Sequence, residues 1–498
     1  MKIFSAAQIK KWDAFTIKNE PVTSIALMER AAKACTDWIF KNFSITSSFK
    51  IFCGKGNNGG DGLAIARLLL ENKFSVSVFI AETGSEGSVD FKINLLHLEK
   101  ISSEIYFLNS LQEFPEIKKE EIIVDALFGT GLNKRPSGIF KKLILHINNS
   151  VAKIISIDIP SGLYADKSSN ENTIIHARYT LTFQQPKLAF LLAENEFFCS
   201  GVVILDIGLS QQYLNNEKTL FELTDKNKVE QIYSPRKPFA NKGNYGYACL
   251  IAGSYGMMGA AVLSSKACLR SGVGKLTAYI CKQGYTVMQT AVPEAMCSIF
   301  GDTFIENIKN LKDFDVIGIG PGIGKHASHT QLLQTVFSNS KNPIVIDADA
   351  LNALSKYPRL YKSIPPQSII TPHPKEFERL FGKSDNDFEK IDLALQKAKD
   401  LNIFIVLKGH HTLITTPDGK GYFNSTGNAG MATAGAGDVL TGIITGLVAQ
   451  KYSSLNACIF GVYLHGLAGD IAASKLSQEA MISCDIIDFM GDAFKRII

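Results

Sequence analysis

The chain has 498 residues, of which 46% are hydrophobic and 20% are charged. This composition is typical of a globular protein and excludes intrinsic disorder as the main state. At roughly 150 residues per domain, the length suggests roughly two to four domains. The net charge of +5 is spread without a concentrated run of Lys or Arg. A nucleic-acid partner or a membrane-surface role is therefore not expected.

The nine cysteines are scattered, and an odd number without CxxC pairs fits a disulfide framework poorly. The first residues lack the long apolar core of a signal peptide. The most apolar late stretch, residues 439–449, contains glycines and is too short to span a bilayer. We therefore expect a cytoplasmic protein with reduced thiols and no membrane association.

Short apolar runs alternate with amphipathic runs in the first part of the chain. Strands are predicted at residues 51–53, 74–80, 122–124 and 154–157, and a helix over residues 63–70. Strands followed by helices imply crossover connections and a mainly parallel sheet. Because the strands are almost continuously apolar, we expect helices to cover both faces of that sheet.

A polar stretch near residue 212 interrupts this pattern, which then begins again. We place an N-terminal domain at residues 1–212, a linker at 213–224 and a C-terminal domain at 225–498. In the second block, strands are predicted at residues 248–252, 316–319, 344–346, 369–370 and 403–407. Nearly all of them run into Gly, Asp, Thr or Lys, and open α/β sheets bind ligands at that end of their strands.

A turn with five glycines, residues 54–62, joins the first predicted strand to the helix. Glycines let the backbone approach a ligand closely, and the helix N-terminus offers amides that suit a phosphate. The alternative is a tight connection in which Asn and Asp only cap the helix. Three polar residues, Asn57, Asn58 and Asp61, are more than one cap needs, which favours ligand binding.

Two further strands end in aspartate-containing turns. Asp125 precedes a Gly-Thr-Gly turn, and Asp158 lies three residues before Ser161. Either aspartate could be a simple turn former. Successive parallel strands bring their carboxyl ends together, so these turns are expected to meet in one cleft. The oxygens of Asn58, Asp125 and Ser161 are hard ligands that suit an alkali or alkaline-earth cation.

The strongest single motif is a run of small residues from 427 to 442. The turn Gly435-Ala436-Gly437 leads into a helix that is predicted to begin near Asp438. Its amides can face a phosphoryl group while Asp438 acts as base for a hydroxyl. Ribokinase-like small-molecule kinases use such a Gly-Ala-Gly-Asp element. The alternative is a capped helix with close glycine packing.

Other polar turns follow predicted strands of this block, at residues 320–324, 347–352, 371–376 and 408–412. A single histidine is most often structural. His373, however, lies between two prolines and near Glu376 at a strand end, which favours a substrate contact. Neighbouring side chains on a strand point to opposite faces, so His410 and His411 are not expected to form a metal site.

Through these motifs, residues 1–210 resemble the epimerase domain of the NAD(P)H-hydrate repair enzymes, in segments 56–62, 125–131 and 158–162. The resemblance implies a domain that binds hydrated NADH or NADPH and holds K⁺ on Asn58, Asp125 and Ser161. It also implies Asp158 as the acid and base. The phosphates and ribose would contact Asn57, Asn58, Gly59, Gly60, Asp61, Gly129, Thr130, Gly131, Leu132, Asn133, Lys134 and Arg135.

Residues 225–498 resemble the dehydratase domain of the same family, a relative of the ribokinase-like kinases. The resemblance implies Asp438 as the catalytic base, and Mg²⁺ with ADP or ATP as phosphoryl donor. The hydrated dinucleotide would contact Ala252, Gly322, His373 and Asp438, and the adenine nucleotide would contact Lys408, Gly409, His410, His411, Thr412 and Gly437. One departure is Asn241, where the family more often has His. Another is Tyr164, where an acidic residue is common.

The sequence therefore predicts two three-layer α/β/α domains, the first Rossmann-like and the second ribokinase-like. We expect a homo-oligomer that epimerises hydrated NAD(P)H and dehydrates its S form at the expense of ADP or ATP. One alternative is a ribokinase-like kinase with an N-terminal dinucleotide sensor. Another makes the N-terminal block a non-catalytic module for a protein partner, against which the presence of Asn58, Asp125, Asp158 and Ser161 together argues.

Overall fold

The structure is a computed structural model and describes residues 1–82, 84 and 86–498. The chain divides into two compact units. The N-terminal unit comprises residues 2–219 with 386–388, and the C-terminal unit comprises residue 1, residues 220–385 and residues 389–498. The division between residues 219 and 220 falls inside the segment predicted as a linker, which itself contains the end of a short helix and a strand.

The N-terminal unit alternates strands with helices. Its strands are β1 (Lys2–Ile3), β2 (Ser48–Cys53), β3 (Ser75–Ala81), β4 (Ile105–Leu108), β5 (Ile122–Ala126), β6 (Lys153–Ile157), β7 (Tyr179–Phe183) and β8 (Val202–Leu205). Its helices are α1 (Ala6–Asn19), α2 (Ser24–Asn42), α3 (Asn57–Glu71), α4 (Val89–Glu99), α5 (Gly138–Asn148) and α6 (Gln211–Asn216).

Strands β2 to β8 form a sheet with the order β4-β3-β2-β5-β6-β7-β8, and their pairs are parallel. Ile51 and Phe52, neighbours on β2, pack into two different apolar clusters on opposite faces of the sheet. This confirms the predicted parallel sheet with apolar layers on both sides. Because β2, β5 and β6 are adjacent, the turns that follow them open at one edge, as predicted.

The C-terminal unit has a second alternating set. Its strands are β9 (Phe221–Thr224), β10 (Tyr247–Ile251), β11 (Lys275–Ile280), β12 (Met296–Ile299), β13 (Val316–Ile319), β14 (Ile344–Ile346), β15 (Ile369–Ile370), β16 (Phe404–Leu407), β17 (Leu413–Thr415) and β18 (Gly421–Asn424). Its helices are α7 (Lys226–Ile232), α8 (Met258–Arg270), α9 (Tyr285–Ala291), α10 (His329–Asn339), α11 (Ala348–Lys356), α12 (Pro374–Phe381), α13 (Asp387–Leu401), α14 (Ala436–Ala449), α15 (Ser454–Leu476), α16 (Ser483–Asp488) and α17 (Met490–Ile497).

These strands follow the order β9-β18-β17-β16-β15-β14-β13-β10-β11-β12. The five strands predicted from the sequence, β10 and β13 to β16, lie side by side and are parallel. Strands β16, β17 and β18 pair antiparallel. The last two of these were not predicted, although the turn that joins them contains Gly419 with a positive φ of 82°, which is typical of a hairpin.

Helix α15 is long and apolar enough to cross a membrane by length and composition alone. Within the described residues it is the single helix that meets that criterion, and 72% of its apolar window is buried inside the protein. It packs against α14, α16 and α17. These are the contacts of a core helix.

Helices α8 and α14 approach each other so closely that glycine is required at their interface. A Cβ on Gly442 would lie 2.1 Å from the carbonyl oxygen of Ser264, and one on Gly446 would lie 2.0 Å from Ser271 Oγ. Since both sites are surrounded by packed atoms, an added methyl group must displace one of the helices.

We expect Gly442→Ala to lower the melting temperature, because overpacking costs about 1–3 kcal/mol and outweighs the gain in helix propensity of about 1 kcal/mol. Gly491→Ala is the matched control, since no atom lies within 4 Å of its added Cβ in α17. Thermal unfolding of the two variants and the wild type checks this. A Gly442→Ala protein that melts at or above the wild-type temperature would contradict the packing described here.

Candidate active sites

The glycine-rich turn after β2 lies tightly against the neighbouring strand. A Cβ on Gly54 would lie 2.1 Å from the Leu127 carbonyl oxygen, and one on Gly59 would lie 1.7 Å from the Gly54 carbonyl oxygen. Helix α3 begins at Asn57, and its N-cap residue, Gly56, makes no side-chain cap. The alternative of an Asn or Asp N-cap is therefore wrong, and the first-turn amides project from the helix end toward a ligand space.

Asp125 is the buried centre of the adjoining turn. Its Oδ2 accepts hydrogen bonds from Ser156 Oγ at 2.7 Å and from the Ser161 amide at 2.8 Å. The Ser161 hydroxyl in turn accepts a hydrogen bond from the Phe128 amide at 2.9 Å. Burial raises the pKa of Asp125, and the hydrogen bonds from Ser161 and Ser156 oppose that shift.

Asn58 lies on the same turn. Its side chain is 3.3 Å from the position of a Cβ on Gly129, and its Nδ2 is buried without a hydrogen-bond partner among the described residues. The structure therefore brings together the three predicted cation ligands, Asn58, Asp125 and Ser161, around residues 125–129.

Asp158 ends β6 with a left-handed backbone, φ 67°, which is uncommon for a residue other than glycine. Its Oδ1 accepts a hydrogen bond from Lys187 Nζ at 2.5 Å, and its Oδ2 lies 3.4 Å from the Thr130 amide. The Lys187 side chain is 0% exposed. A buried lysine is thus the immediate partner of the predicted acid and base.

A cavity of about 1300 Å³ opens beside these groups. Its lining contains most of the predicted contact residues: Asn57, Asn58, Asp61, Asp158 and residues 129–135. Gly59 and Gly60 are buried within α3 and are absent from the described lining, as are Asp125 and Ser161.

Two more carboxyl groups face the cavity, Asp13 of α1 and Asp61 of α3. Burial, followed by repulsion from Asp158, raises the pKa of Asp13 to about 7, and Lys187 opposes the shift. Burial and the charges of Asp158, Asp13 and Asp90 raise the pKa of Asp61 well above its usual range. The cavity therefore holds carboxyl groups that differ in protonation near neutral pH.

The C-terminal unit has a comparable arrangement around Asp347, at the end of β14. Asp347 Oδ1 accepts a hydrogen bond from Lys408 Nζ at 2.9 Å, and Oδ2 accepts one from Thr441 Oγ1 at 2.6 Å. Lys408 Nζ also lies 4.0 Å from Glu376 Oε2. Lys408, predicted to contact a nucleotide, follows β16 and thereby binds a buried carboxylate that follows β14, two strands away in the sheet.

Asp438 lies beside this group in the first turn of α14. The helix begins at Ala436, after Gly435 in a left-handed conformation with φ 91°. Burial, and next the charge of Asp347, raise the pKa of Asp438 to about 7, while Lys408 opposes the shift. A Cβ on Gly437 would lie 3.2 Å from Lys408 Nζ.

Ala252 and Gly322 follow the adjacent strands β10 and β13. The Gly253 amide donates to the Pro321 carbonyl at 2.8 Å, and Ser254 Oγ donates to the Gly322 carbonyl at 2.8 Å. Both predicted contact positions therefore lie at the same edge of the sheet as Asp347, which follows the next strand, β14.

His373 has a structural role that the sequence did not predict. Its Nδ1 accepts hydrogen bonds from the amides of Lys375 at 3.1 Å and Glu376 at 3.3 Å, so it caps α12. The other ring nitrogen, Nε2, lies 3.5 Å from Glu376 Oε1, and the side chain is 41% exposed. A substrate contact therefore stays a prediction.

The segment 408–412 is a turn between β16 and β17, so the expectation that His410 and His411 lie on a strand is wrong. Their rings contact each other with centroids 4.4 Å apart, and His411 Nδ1 lies 3.1 Å from the Asn424 carbonyl. Thr412 Oγ1 donates to the Gly409 carbonyl at 3.1 Å, which closes the turn. Within the described part of the chain, no group of three His, Cys, Asp or Glu side chains could hold a metal.

Three residues of these sites were missed by the sequence analysis. Lys187 stands in an apolar stretch after a proline, and a lysine in such a context is a signal of a buried charge. Asp13 follows a buried tryptophan on α1, and Thr441 lies one turn after Ala436–Asp438. None belongs to a recognisable turn motif, because their positions depend on contacts across the fold.

Comparisons with known proteins agree over the whole chain. A family model described as NAD(P)H-hydrate dehydratase matches residues 248–491, and one described as YjeF-related protein N-terminus matches residues 24–189. The chain is 34% identical over 515 residues to the bifunctional NAD(P)H-hydrate repair enzyme Nnr of Moorella thermoacetica, with 100% of this chain and 97% of the relative covered. The chain belongs to the family of bifunctional NAD(P)H-hydrate repair enzymes. It carries an epimerase domain and an ADP/ATP-dependent dehydratase domain.

Other relatives support the same assignment. The Escherichia coli bifunctional NAD(P)H-hydrate repair enzyme Nnr is 32% identical over 468 residues, covering 93% of this chain and 88% of the relative. Among solved structures, a ribokinase-like superfamily protein from Enterococcus faecalis has 28% identity and a TM-score of 0.51, covering 56% of this chain and 98% of that chain. The predicted ribokinase-like fold of the second block is thereby confirmed.

The pKa of Asp438 leads to a pH prediction for the dehydratase. A base must be ionised to accept a proton, and a carboxyl with a pKa of about 7 loses that form as the pH falls. We therefore expect the dehydratase kcat/KM to fall about tenfold per pH unit below about pH 7. Initial rates with the pure S epimer in constant-ionic-strength buffers measure this. A kcat/KM that stays level down to pH 5.5 would exclude Asp438 as the titrating base.

Proposed function

We propose that Asp158 exchanges the proton in epimerisation and that Asp438 accepts the proton in dehydration. We assign the first reaction to residues 1–212 and the second to residues 225–498, with residues 213–224 as linker. The supporting observation is where the two aspartates lie. Asp158 directly follows β6 and is bound by Lys187. Asp438 lies in the first turn of α14, after Gly435, beside the Asp347 carboxylate that Lys408 binds.

The first reaction follows from the chemistry of hydrated NADH, which carries a hydroxyl on a carbon next to the ring nitrogen. The carbon–oxygen bond breaks with its electron pair on oxygen, while the nitrogen lone pair forms a carbon–nitrogen double bond. Asp158 gives a proton to the leaving oxygen and takes one back from the water that returns on the other face. Residues 57–58, 61 and 129–135 would hold the phosphates and ribose, since they line the same cavity.

Potassium fits the three oxygen-bearing residues beside this cavity. Asp125 is buried and accepts hydrogen bonds from Ser156 and Ser161, and the Asn58 side chain lies beside Gly129 of the same turn. Oxygen donors of this type suit a hard cation. Asn58, Asp125 and Ser161 would hold K⁺, which would supply positive charge near the turns that face the substrate phosphates.

The second reaction replaces a poor leaving group by a good one. Asp438 takes the proton of the ring-carbon hydroxyl, whose oxygen then bonds to the terminal phosphorus of ADP or ATP as the nucleotide leaves. The carbon–oxygen bond breaks with its electrons on phosphate, and a proton leaves the neighbouring ring carbon to restore the double bond. Mg²⁺ would neutralise the nucleotide phosphates. Residues 408–412 and Gly437 would contact the nucleotide, and Ala252, Gly322 and His373 the hydrated dinucleotide.

The oligomeric state of the protein and its location in the cell are two further proposals. We keep the homo-oligomer and the cytoplasm as predictions, consistent with nine free thiols. Light scattering after size exclusion tests the first, and fractionation of cells tests the second.

Variants of the two aspartates separate the activities. Asp158→Asn should lower epimerisation by about 10²-fold or more, because an amide cannot exchange the proton, and should leave dehydration of the S epimer unchanged. Asp438→Asn should lower dehydration by about 10²–10⁴-fold and leave epimerisation unchanged. Each variant is the control for the other, and an equimolar mixture should again convert both epimers. Loss of both activities in either single variant would contradict two separate sites.

Replacing K⁺ by tetramethylammonium should slow epimerisation, because the large cation cannot enter an oxygen site sized for K⁺. Asp125→Asn should be slow in both salts, since it lacks the negative charge that holds the ion. Epimer exchange measured at constant ionic strength checks both expectations. Equal wild-type rates in the two salts would remove K⁺ from the proposal.

A further inference from the structure

Lys187 is buried completely, and its ammonium group meets three acceptors. Nζ lies 2.5 Å from Asp158 Oδ1, 2.6 Å from Thr182 Oγ1 and 3.4 Å from the Phe183 carbonyl. An ammonium group has three N–H bonds, so each can be directed to one acceptor. Lys187 is thus held as a fixed donor and positive charge, with no hydrogen-bonding capacity left to take part in proton exchange.

Burying this ion pair lowers the stability of the folded state. Taking a lysine and a carboxylate out of water carries a penalty of several kcal/mol per ion, which their attraction offsets only in part. Asp158 also adopts φ 67°, a conformation that costs of order 1–3 kcal/mol in a residue other than glycine. Strained backbone and buried charge at one position are features of functional sites more than of structural ones.

We infer that Lys187 is a positioning residue of the epimerase, whose ammonium group fixes Asp158 Oδ1 and leaves Oδ2 as the oxygen that exchanges the proton. The inference rests on the proposed role of Asp158. Among the described residues, Oδ2 has one hydrogen-bond contact, a long one of 3.4 Å from the Thr130 amide, and Thr130 lies in the turn that lines the cavity. The carboxylate therefore presents one bound and one accessible oxygen to the substrate.

The charges around the cavity explain why a cation is needed at this point. Several titratable groups line it with Asp158: Lys10, Asp13, Lys55, Asp61, Glu86, Asp90, Lys134, Arg135 and Asp166. Asp13 and Asp61 are close enough for the charge of Asp158 to act on both. Without Lys187, Asp158 would face these carboxyl groups without its direct counter-ion, and its ionised form would become less stable.

The test uses Lys187→Met, which keeps the length and removes the charge, and Lys187→Arg, which restores it. Lys187→Met should lower the epimerase kcat by about 10²-fold with KM changed less than threefold. It should also move the alkaline limb of kcat/KM to higher pH, because Asp158 must be protonated to give the first proton. Lys187→Arg should have an epimerase kcat at least tenfold higher than that of Lys187→Met. Thr182→Val is the matched control, because it removes one acceptor and leaves the charge, and its pH profile should match the wild type.

The S-epimer dehydratase rate of each preparation serves as an internal measure of intact protein, and thermal unfolding monitors the N-terminal unit. Lys187→Met with wild-type kcat, or with lower kcat but an unmoved alkaline limb, would overturn the inference. If Lys187→Met did not fold, Lys187→Gln would be measured instead, and failure of both to fold would assign Lys187 a structural role. An active Asp158→Asn would overturn the proposed role of Asp158 as well, whereas an inactive one with an unaffected Lys187→Met would overturn only the inference.

Discussion

Burial of carboxyl groups at the ends of parallel strands is the constraint on which both sites depend. The strands are apolar and covered on both faces, so polar chemistry is confined to the edge where they end. A carboxylate in that position loses its hydration and needs a cation, a set of hydrogen bonds or a proton. Asp158 binds the Lys187 ammonium group, and Asp125 accepts a set of hydrogen bonds. Asp438, in the first turn of α14 beside Asp347, has its pKa raised to about 7, which favours the protonated form.

In each unit a lysine from another segment of the chain binds a buried carboxylate, but the two lysines differ in how exposed they are. Lys187, which binds Asp158, has a side chain that is 0% exposed, whereas Lys408, which binds Asp347, is 21% exposed. The buried lysine can serve only its carboxylate. The more accessible Lys408 lies beside Gly437 and can also meet a phosphate that enters from solvent. This difference in lysine exposure fits the two reactions. The N-terminal unit acts on the dinucleotide alone, whereas the C-terminal unit also needs a second nucleotide as phosphoryl donor.

The sequence predicted the parts of the sites that depend on local rules. The glycine-containing turns that follow apolar runs predicted where the strands end. In the structure β2, β5 and β6 are adjacent, which brings Asp125 and Asp158 to the same edge of the sheet. Strand β7 was not predicted, although its alternation of threonine with apolar residues is typical of a strand. The segment after it, which carries Lys187, was missed as well. The sequence did not show that His373 caps a helix, because that required knowing that α12 begins at Pro374. It did not show the turn conformation of His410 and His411, because that required knowing where β16 ends and β17 begins. The local sequence marks Lys187 as a buried charge and places Thr441 in the small-residue run, but it does not show which carboxylates these two residues contact across the fold.

The central claim is that one chain returns both hydrate epimers to NADH by phosphoryl transfer and loss of phosphate. The most direct measurement incubates the purified protein with a mixture of R and S hydrated NADH, with ADP or ATP and Mg²⁺, while NADH absorbance and free phosphate are recorded together. The account predicts that NADH recovery exceeds the S fraction and reaches the whole mixture, with one phosphate released per NADH, and that no NADH forms without nucleotide. Recovery that stops at the initial S fraction, or accumulation of a stable phosphorylated dinucleotide, would contradict it.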